Sequence, residues 1–590
     1  MPKNQIHLAI GFNMSLFSIP QAAPPTTMTW TDVSAYLMEL NTQRGRMHEL
    51  NRIEAGKATF ILNNTDGRFW RYNTSSPYYP YVKPLTPIQL YCIYNTVVYF
   101  IYTGMIESLV PGWVEDVGGK TPIMTINCVD LFKTFTRETV PQGTNYGSEL
   151  SGARVNHLLG VVANTATNGA TWPAGLKAVD TGKVTVTALT PPANGTNIME
   201  HLYKVASAES GVFFVAGDGK VTFQDRDSRY TNFANSSATF DTGTSGNIYT
   251  LPEMSDDDTF IYNAAMFNNA GNAISSWQEP INLANQGVRI YDGTGSIIQN
   301  TADAQNQAYI VVNRYFDSKL RVKSLHLDCD ASPLDLFPKA LGYDISTRIT
   351  LNLNNADNPM AIPNVQYHIE GIEHDWKAWQ DCWHSKFQLW DVNQYQLFPI
   401  THSGFLETNN PLPNYTTVHN QASGDAYDDS IGYHYIYAGQ SVDTNYWIYR
   451  GYIEFDTTAL ASLPASATAK VFIWWPATSI PTADVTVNLV DPAGLAIPLI
   501  TTNYHDLLTS TASHGQATFD HTNTTARWIE FDMSTPGLSA INPGGTTRWG
   551  MRSLADVGSV APSTATEYLV FDGAGTSSMP QAFLVVNFGL

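Results

Sequence analysis

The sequence predicts a mainly β protein with a few short helices, ending in a C-terminal β-sandwich of jelly-roll type. Three observations predict it. Only 14% of the 590 residues are charged while 43% are hydrophobic, against about 25% charged in an average globular chain, so broad faces must be covered by uncharged side chains. Aromatics reach 12%, with 30 Tyr and 14 Trp, types that suit a pleated, half-buried surface. Short apolar runs alternate with Gly-, Asn- and Pro-containing turns, as in strand-rich chains. The same composition excludes disorder, which needs low hydrophobicity and high charge.

The elements follow in order. Residues 5–10 alternate as a short strand, and 29–40 carry a strand followed by a segment, 34–40, that fits either strand or short helix. Residues 57–62 read as a strand ended by the turn Asn63-Asn64-Thr65-Asp66-Gly67. Residues 88–102 favour β throughout, with Asn95-Thr96 as a hairpin tip, and 103–108 and 122–129 add two strands. Helical spacing appears at 154–163, through Val155, Leu158, Leu159 and Val162, and again at 197–208, through Ile198, Leu202, Val205 and Ala206. Residues 164–192 between them read as a loop or weak hairpin. A hairpin follows at 211–223, turning at Asp218-Gly219, and 250–400 return to β with one helix at 302–316. Strands are expected at 347–353, 365–372 and 386–390, then at 446–455, 469–475, 526–531, 568–571 and 582–588.

Length and turn chemistry together give five segments. These are a first β domain at 1–145, an α+β insertion at 146–250, a second β domain at 251–400, a linker at 401–415 and the sandwich at 416–590. The linker rests on Pro411 and Pro413 amid Asn, Thr, Ser and Gly with no hydrophobic period.

The net charge of −20 argues against nucleic-acid binding, which needs a basic footprint to displace counterions from phosphates. Cys92, Cys128, Cys329 and Cys382 are scattered with no CxxC pair, so buried free thiols are expected rather than disulfides or zinc. No apolar run approaches the ~20 residues that span a bilayer. Asn4, Gln5 and His7 interrupt the N-terminus, so no signal peptide is expected. Synthesis in a cytoplasm and export within an assembled particle follow from that reading.

The segment Arg44-Gly45-Arg46-Met47-His48-Glu49-Leu50 continues as Ile53-Glu54-Ala55-Gly56-Lys57 through Asn63-Asn64-Thr65-Asp66-Gly67-Arg68-Phe69. Asn73 to Pro80, Val82-Lys83-Pro84 and Phe100 to Ser108 follow in order. Val205 to Gly211, Gly219 to Arg226 and Tyr367 to His374 complete the set. This order resembles minor tail or tail-tip (baseplate) hub proteins of long-tailed phages and phage-related particles, over about residues 1–400. The resemblance implies hub-type β-barrel domains in a homotrimer that closes or extends the tail tube. It also implies distal tail and tube proteins as partners and a place at the virion tail tip. More loosely, Arg450 to Thr457, Leu463 to Ala467 and Pro580 to Val586 resemble jelly-roll domains of surface-acting proteins, some of which bind polysaccharide.

Candidate sites follow. Glycan stacking is assigned to Tyr433, Tyr435, Tyr437, Trp447, Trp474 and Trp475, with Trp528 and Trp549 as further candidates. Alternation puts the three tyrosines on one strand face, while Trp474 and Trp475 point to opposite faces, so one of that pair belongs to the core. Asp425, Asp428 and Asp429, flanked by Gly424 and Gly432, form an oxygen-rich loop that could hold structural calcium. No other cofactor is expected. Tyr78, Tyr79 and Tyr81 are candidate subunit anchors, since aromatics carry much interface energy; packing on their own barrel is the alternative. Asp256-Asp257-Asp258 reads as a solvated charge run. His374, Asp381 and His384, near Trp376, Trp379, Trp383 and Trp390, read as an aromatic packing corner. HExxH, GxSxG and Walker motifs are absent from the sequence, and no catalytic residue is assigned. The expected role is therefore a structural tail-tip hub whose sandwich meets host-surface polysaccharide. The alternatives are a particle-borne or secreted polysaccharide hydrolase and a purely structural tail decoration.

Overall fold

The computed structural model describes residues 5–14, 30–116, 119–167, 172, 174–226, 228, 238–241, 249–256, 258–271, 274–278, 286–316, 321–352, 365–392, 395–428, 435–458, 460, 462–463, 465, 467–477, 480–492, 494–495, 498–563, 566–572 and 582–587. The chain is mainly β with short helices. It divides into two compact units: Met1–Asn272, Gln278–Gln299 and Val311–Val392 form the first, and Ala273–Trp277, Asn300–Ile310 and Asn393–Leu590 the second. No described helix is long and apolar enough to cross a membrane.

A 13-stranded sheet organises the first unit. Its centre runs Cys382–Asp391, Val365–Lys377, Leu37–Gly45, Glu54–Asn63, Gly119–Val129, Val97–Asp116, Pro87–Tyr94 and Gln5–Ile10. Period-two burial makes these strands: Gly56, Ala58, Phe60 and Leu62 point inward from Glu54–Asn63 while their neighbours face out. On Leu37–Gly45 the inward set steps from Leu37 to Leu40, Thr42 and Arg44, and a register shift near Glu39 absorbs the odd residue. Asn95 and Thr96 both adopt positive φ, 47° and 68°, the twist-matched two-residue hairpin that their position predicts. The strand that leaves this turn does not stop at 102 but continues to Asp116. Gly104, Pro111 and Gly112 interrupt the β-favouring run there, and all three lie in the strand.

The insertion contributes helices Phe132–Arg137, Ser151–Thr167 and Ile198–Glu209. Asn197 caps the last of these through Oδ1, which accepts from the Glu200 amide at 3.0 Å. Val155, Leu158, Leu159, Ile198, Leu202 and Val205 bury their apolar faces in one core with Phe132 and Phe213. Helix Thr301–Tyr315 matches expectation. Helix Pro333–Gly342, with Pro at its first position, was not foreseen.

Segments far apart in sequence meet at the sheet centre. Gly371 pairs with Gly45, and Arg46 Nε donates to Glu370 at 2.6 Å across 324 positions. Arg44 Nη1 donates to Asp344 at 2.7 Å and to the Val215 carbonyl at 3.3 Å, while the Gly217 amide donates to Asp344 at 3.0 Å. Gly45 has φ +92°, and a Cβ there would sit 2.2 Å from the Glu370 carbonyl oxygen, so the crossing needs glycine. Beside it part of the expected packing corner is buried: His374 is, its Nδ1 2.8 Å from the Ser385 hydroxyl, which also accepts from Trp383 Nε1 at 3.0 Å, whereas Asp381, His384 and Trp379 are exposed. Cys92, Cys128 and Cys329 are buried and Cys382 is half-buried, and none of the four is in a disulfide.

In the second unit eight antiparallel strands close on themselves. The order is Tyr395–Glu407, Phe583–Asn587, Thr468–Trp475, Arg527–Met533, Ser513–Phe519, Val485–Val490, Thr546–Ser553 and Tyr446–Asp456, which returns to the first. Closure removes free strand edges. Strands Asp425–Asp428, Tyr435–Val442 and Glu567–Asp572 add to it. This corrects the linker expected at 401–415, because the first of the eight strands runs through residue 407. Its polar residues are held by the partner strand: Glu454 Oε1 takes Thr401 Oγ1 at 3.2 Å and lies 3.0 Å from His402 Nδ1. Phe405 and Leu406 are buried. A short helix, Tyr415–His419, follows.

Candidate functional site

The second unit carries a cluster of tyrosines that no single stretch of sequence contains. Phe405 stacks on Tyr427 with centroids 4.8 Å apart and the rings 14° from parallel. Tyr437 lies 4.5 Å from Phe405, 5.5 Å from Tyr449 and 6.0 Å from Tyr568, and Tyr449 and Tyr568 are 4.9 Å apart. The four tyrosines are half-buried, so each is held by packing and still meets solvent.

Backbone register assembles them. Phe405 faces Tyr427 and Glu407 faces Asp425 across one strand pair. Glu407 faces Tyr449 across the other. Gly439 lies opposite both Tyr449 and Tyr568. It has φ +136°, and a Cβ there would lie 2.4 Å from Tyr568 Cα, so any side chain would push the rings apart.

One carboxylate sits within the rings. Glu407 Oε1 accepts from the Tyr427 hydroxyl at 2.9 Å. Burial raises its pKa, the Tyr427 bond opposes this, and the Asp425 charge raises it further, leaving it above the usual carboxylate range. Burial likewise pushes the Tyr437 phenol up. The cluster therefore offers apolar ring faces with negative π density, phenol donors and a carboxylate acceptor. That combination matches a sugar ring, which has a C–H face and hydroxyls at its rim.

A buried ionic centre fixes the strand that bears Tyr449. Asp556, fully buried, accepts from Arg450 Nε at 3.0 Å, Arg450 Nη2 at 2.9 Å and Arg552 Nε at 2.6 Å. His419 Nε2 lies 3.3 Å from Asp556 Oδ1. The remaining guanidinium donors go to backbone carbonyls of Tyr504, Leu507, Leu508 and Ser510 among others. Burial raises the Asp556 carboxyl, but the Arg450 charge and the hydrogen bonds from His419 and Arg450 outweigh it and hold it well below the usual range. Burial lowers His419, and its bonds to Asp556 outweigh that and leave it raised.

Of the residues expected to stack on glycan, Tyr437 lies in the cluster and Tyr435, 36% exposed, lies two positions away on the same strand. Ile436 and Ala438 between and beyond them are buried, so the alternation holds there. Tyr433 lies outside the described residues. Trp447 is half-buried and opposite Ser441. Trp474 belongs to another aromatic group, edge-on to Trp528 at 5.5 Å. Trp475 is a correction: it is fully buried, 4.4 Å from Phe519 and under the Arg527 guanidinium at 5.2 Å, and offers no face to a ligand. Trp549 is core for the same reason. Sequence reasoning missed Phe405, Glu407, Tyr427, Tyr449 and Tyr568. The first two lay in the supposed linker.

For the expected calcium loop, Asp425 faces Glu407 in the ladder; the side chain of Asp428 and all of Asp429 lie outside the described residues. Among the described residues a three-ligand group occurs instead at Asp484, Asp520 and His521. It is explained by turn chemistry, since His521 bonds Asp484 at 2.7 Å and Asp520 accepts from the Thr522 amide at 2.8 Å. In the first unit Tyr78 stacks on Phe12 at 4.1 Å and packs on the core, which favours the intrachain role for it, whereas Tyr79 and Tyr81 are 47% and 36% exposed.

No protein-family model matches the chain, and no curated protein sequence matches it. Among solved structures the chain is similar to a tail protein from Neisseria meningitidis, at 12% identity and TM-score 0.42 over 66% of this chain and 96% of that one. It is similar to the 43 kDa tail protein of a Shewanella oneidensis prophage, at 10% identity and TM-score 0.39 over 66% and 97%. It is also similar to an E. coli type VI secretion component described as structurally similar to T4 bacteriophage tail proteins, at 6% identity and TM-score 0.31 over 64% and 81%.

Proposed function

We propose that this chain is a structural tail-tip protein of a phage or phage-related particle. In this reading its first unit is the hub that closes or extends the tail tube as a homotrimer, and its second unit attaches to host-surface glycan. The observation that carries the hub reading is the convergence of the resembling segments. Arg44 to Arg46, Tyr367 to His374 and the hairpin containing Gly217 are far apart in sequence, yet they join through Gly45–Gly371 pairing and the Arg44–Asp344–Gly217 bonds. Segments that served only as local turns would have no reason to interlock in this way. The attachment reading rests on the half-buried tyrosine cluster with Glu407 in it.

Immunogold electron microscopy of purified particles with an antibody to residues 416–590 tests the placement. Gold at one tail end supports it, and unlabelled particles with free protein in the medium overturn it. Binding of the intact chain to host cells, compared with Tyr437→Ala, tests attachment. Equal binding by both would leave the second unit as decoration. Release of reducing ends from host polysaccharide would move the function to the hydrolase class.

A further inference from the structure

The tyrosine cluster of the second unit holds two facing acids. Glu407 and Asp425 lie directly opposite each other on neighbouring strands, which puts their Cβ atoms about 4.5–5.5 Å apart. Like charges so placed repel and cost stability. Both side chains are half-buried, so water screens the repulsion less than on an open surface. Burial, and then the Asp425 charge, raise the Glu407 carboxyl. Among the described residues no base answers this pair, for neither carboxylate forms an ion pair. Three other acids on strands of the same barrel do have a base. Glu454 has Arg548 at 2.7 Å, and Glu530 and Asp532 share Lys470.

The surroundings are also suited to positive charge. Glu407 faces Tyr449 across its other strand pair. Burial first, and the Glu407 charge among lesser causes, raise the Tyr437 and Tyr449 phenols. Aromatic faces attract cations, more strongly where water is partly removed. Glu407 Oε1 is taken by the Tyr427 hydroxyl, while Oε2 receives no hydrogen bond from a described residue. Ring faces, phenol oxygens and two carboxylates thus converge on one half-buried place.

Such a place selects a cation with an apolar body. A bare metal ion fits poorly, because two carboxylates and a phenol fall short of the roughly six to eight oxygens that calcium takes. A protonated primary amine fits, since it is a compact charge with three N–H donors and no acceptor, enough for Glu407 Oε2, Asp425 and a phenol oxygen. We infer, resting on the attachment reading above, that the cluster takes an amine-bearing glycan, with the protonated amine of an amino sugar between Glu407 and Asp425 and the sugar's C–H face against Tyr437 and Tyr449. A neutral or N-acetylated sugar would leave the two carboxylates unanswered.

Calorimetric titration of the intact chain tests it, with a glucosamine oligosaccharide and with the same oligosaccharide fully N-acetylated, near neutral pH and at low salt. The amine form is expected to bind at least about tenfold more tightly than the acetylated form, the scale of a hydrogen-bonded charge, and to weaken as salt is added. Glu407→Gln with Asp425→Asn should lower the amine affinity by at least about tenfold. Gln and Asn match the parent side chains in shape, Gln still accepts from the Tyr427 hydroxyl, and the change removes a repulsion, so the chain folds. Tyr437→Ala should weaken both forms. Binding of neither form, or an amine affinity that survives the double substitution, would overturn the inference. Equal or tighter binding of the acetylated form would overturn it too and leave the attachment reading standing, which fails separately if Tyr437→Ala binds host cells as the parent does.

Discussion

The two units solve the same problem, buried arginine, in different ways. In the first, two guanidiniums at the sheet centre each have their own carboxylate: Arg44 has Asp344 and Arg46 has Glu370. Each pair joins segments about 300 residues apart, so the charges act as staples between distant strands. In the second, Arg450, Arg552 and His419 share the single carboxylate of Asp556, and backbone carbonyls take the surplus donors. Divided pairing makes the first unit tolerant of losing one pair. Shared pairing makes the second depend on one side chain. Buried ion pairs seldom add net stability over an apolar substitute, but breaking one is costly, so the difference bears on failure more than on strength.

The largest expected effect breaks the shared centre. Asp556→Ala strands two buried guanidiniums and should cost the second unit about 3–5 kcal/mol, read as a lowered thermal transition of the full chain. Next, Arg46→Ala leaves Glu370 buried and should cost about 3 kcal/mol, while Arg46→Met with Glu370→Met should recover most of it. If both single losses cost the same and the double change recovers nothing, the distinction between divided and shared pairing fails.

Acidity separates the units further. Burial, with the Arg44 charge, pulls the His374 pKa down to about 3. Its folded value lies below the unfolded ~6.5, so its contribution is whole above that pH and lost as pH falls toward 3. His419 is shifted the other way, so its contribution is whole below ~6.5 and lost as pH rises through its folded value. His374→Gln should therefore flatten the loss of first-unit stability between pH 7 and 4, measured as urea midpoints, and His419→Gln should flatten the loss that sets in as pH rises above ~6.5 in the second unit. Equal pH slopes for variants and parent would remove both assignments. The smallest effect is expected at Tyr435, whose exposed ring should change stability by less than about 0.5 kcal/mol on Tyr435→Ala, even where glycan binding falls.

Local signals were legible where one stretch of chain decides the outcome. The Asn95-Thr96 turn, the Asn197-capped helix and the tyrosine alternation at 435 and 437 all appear where their residues require. The misses share one cause. Residues 401–407 look like linker because Thr401 and His402 are polar, and only Glu454 on another strand makes them strand residues. Trp474 and Trp475 are adjacent, and only the position of Phe519 makes the second one core. The tyrosine cluster draws on five strands, and no window of sequence contains more than a part of it.

The Gly45–Gly371 crossing also sets a clock. The strand Leu37–Gly45 emerges early in synthesis, and its neighbour Val365–Lys377 emerges more than three hundred residues later. At ~5–20 residues per second that is roughly 15–65 s with one edge of the sheet open. During this interval Arg46 has no Glu370 to meet, and the nascent chain presents an unpaired strand to whatever is nearby. A chaperone, or a neighbouring copy on the same message, would find its opportunity there.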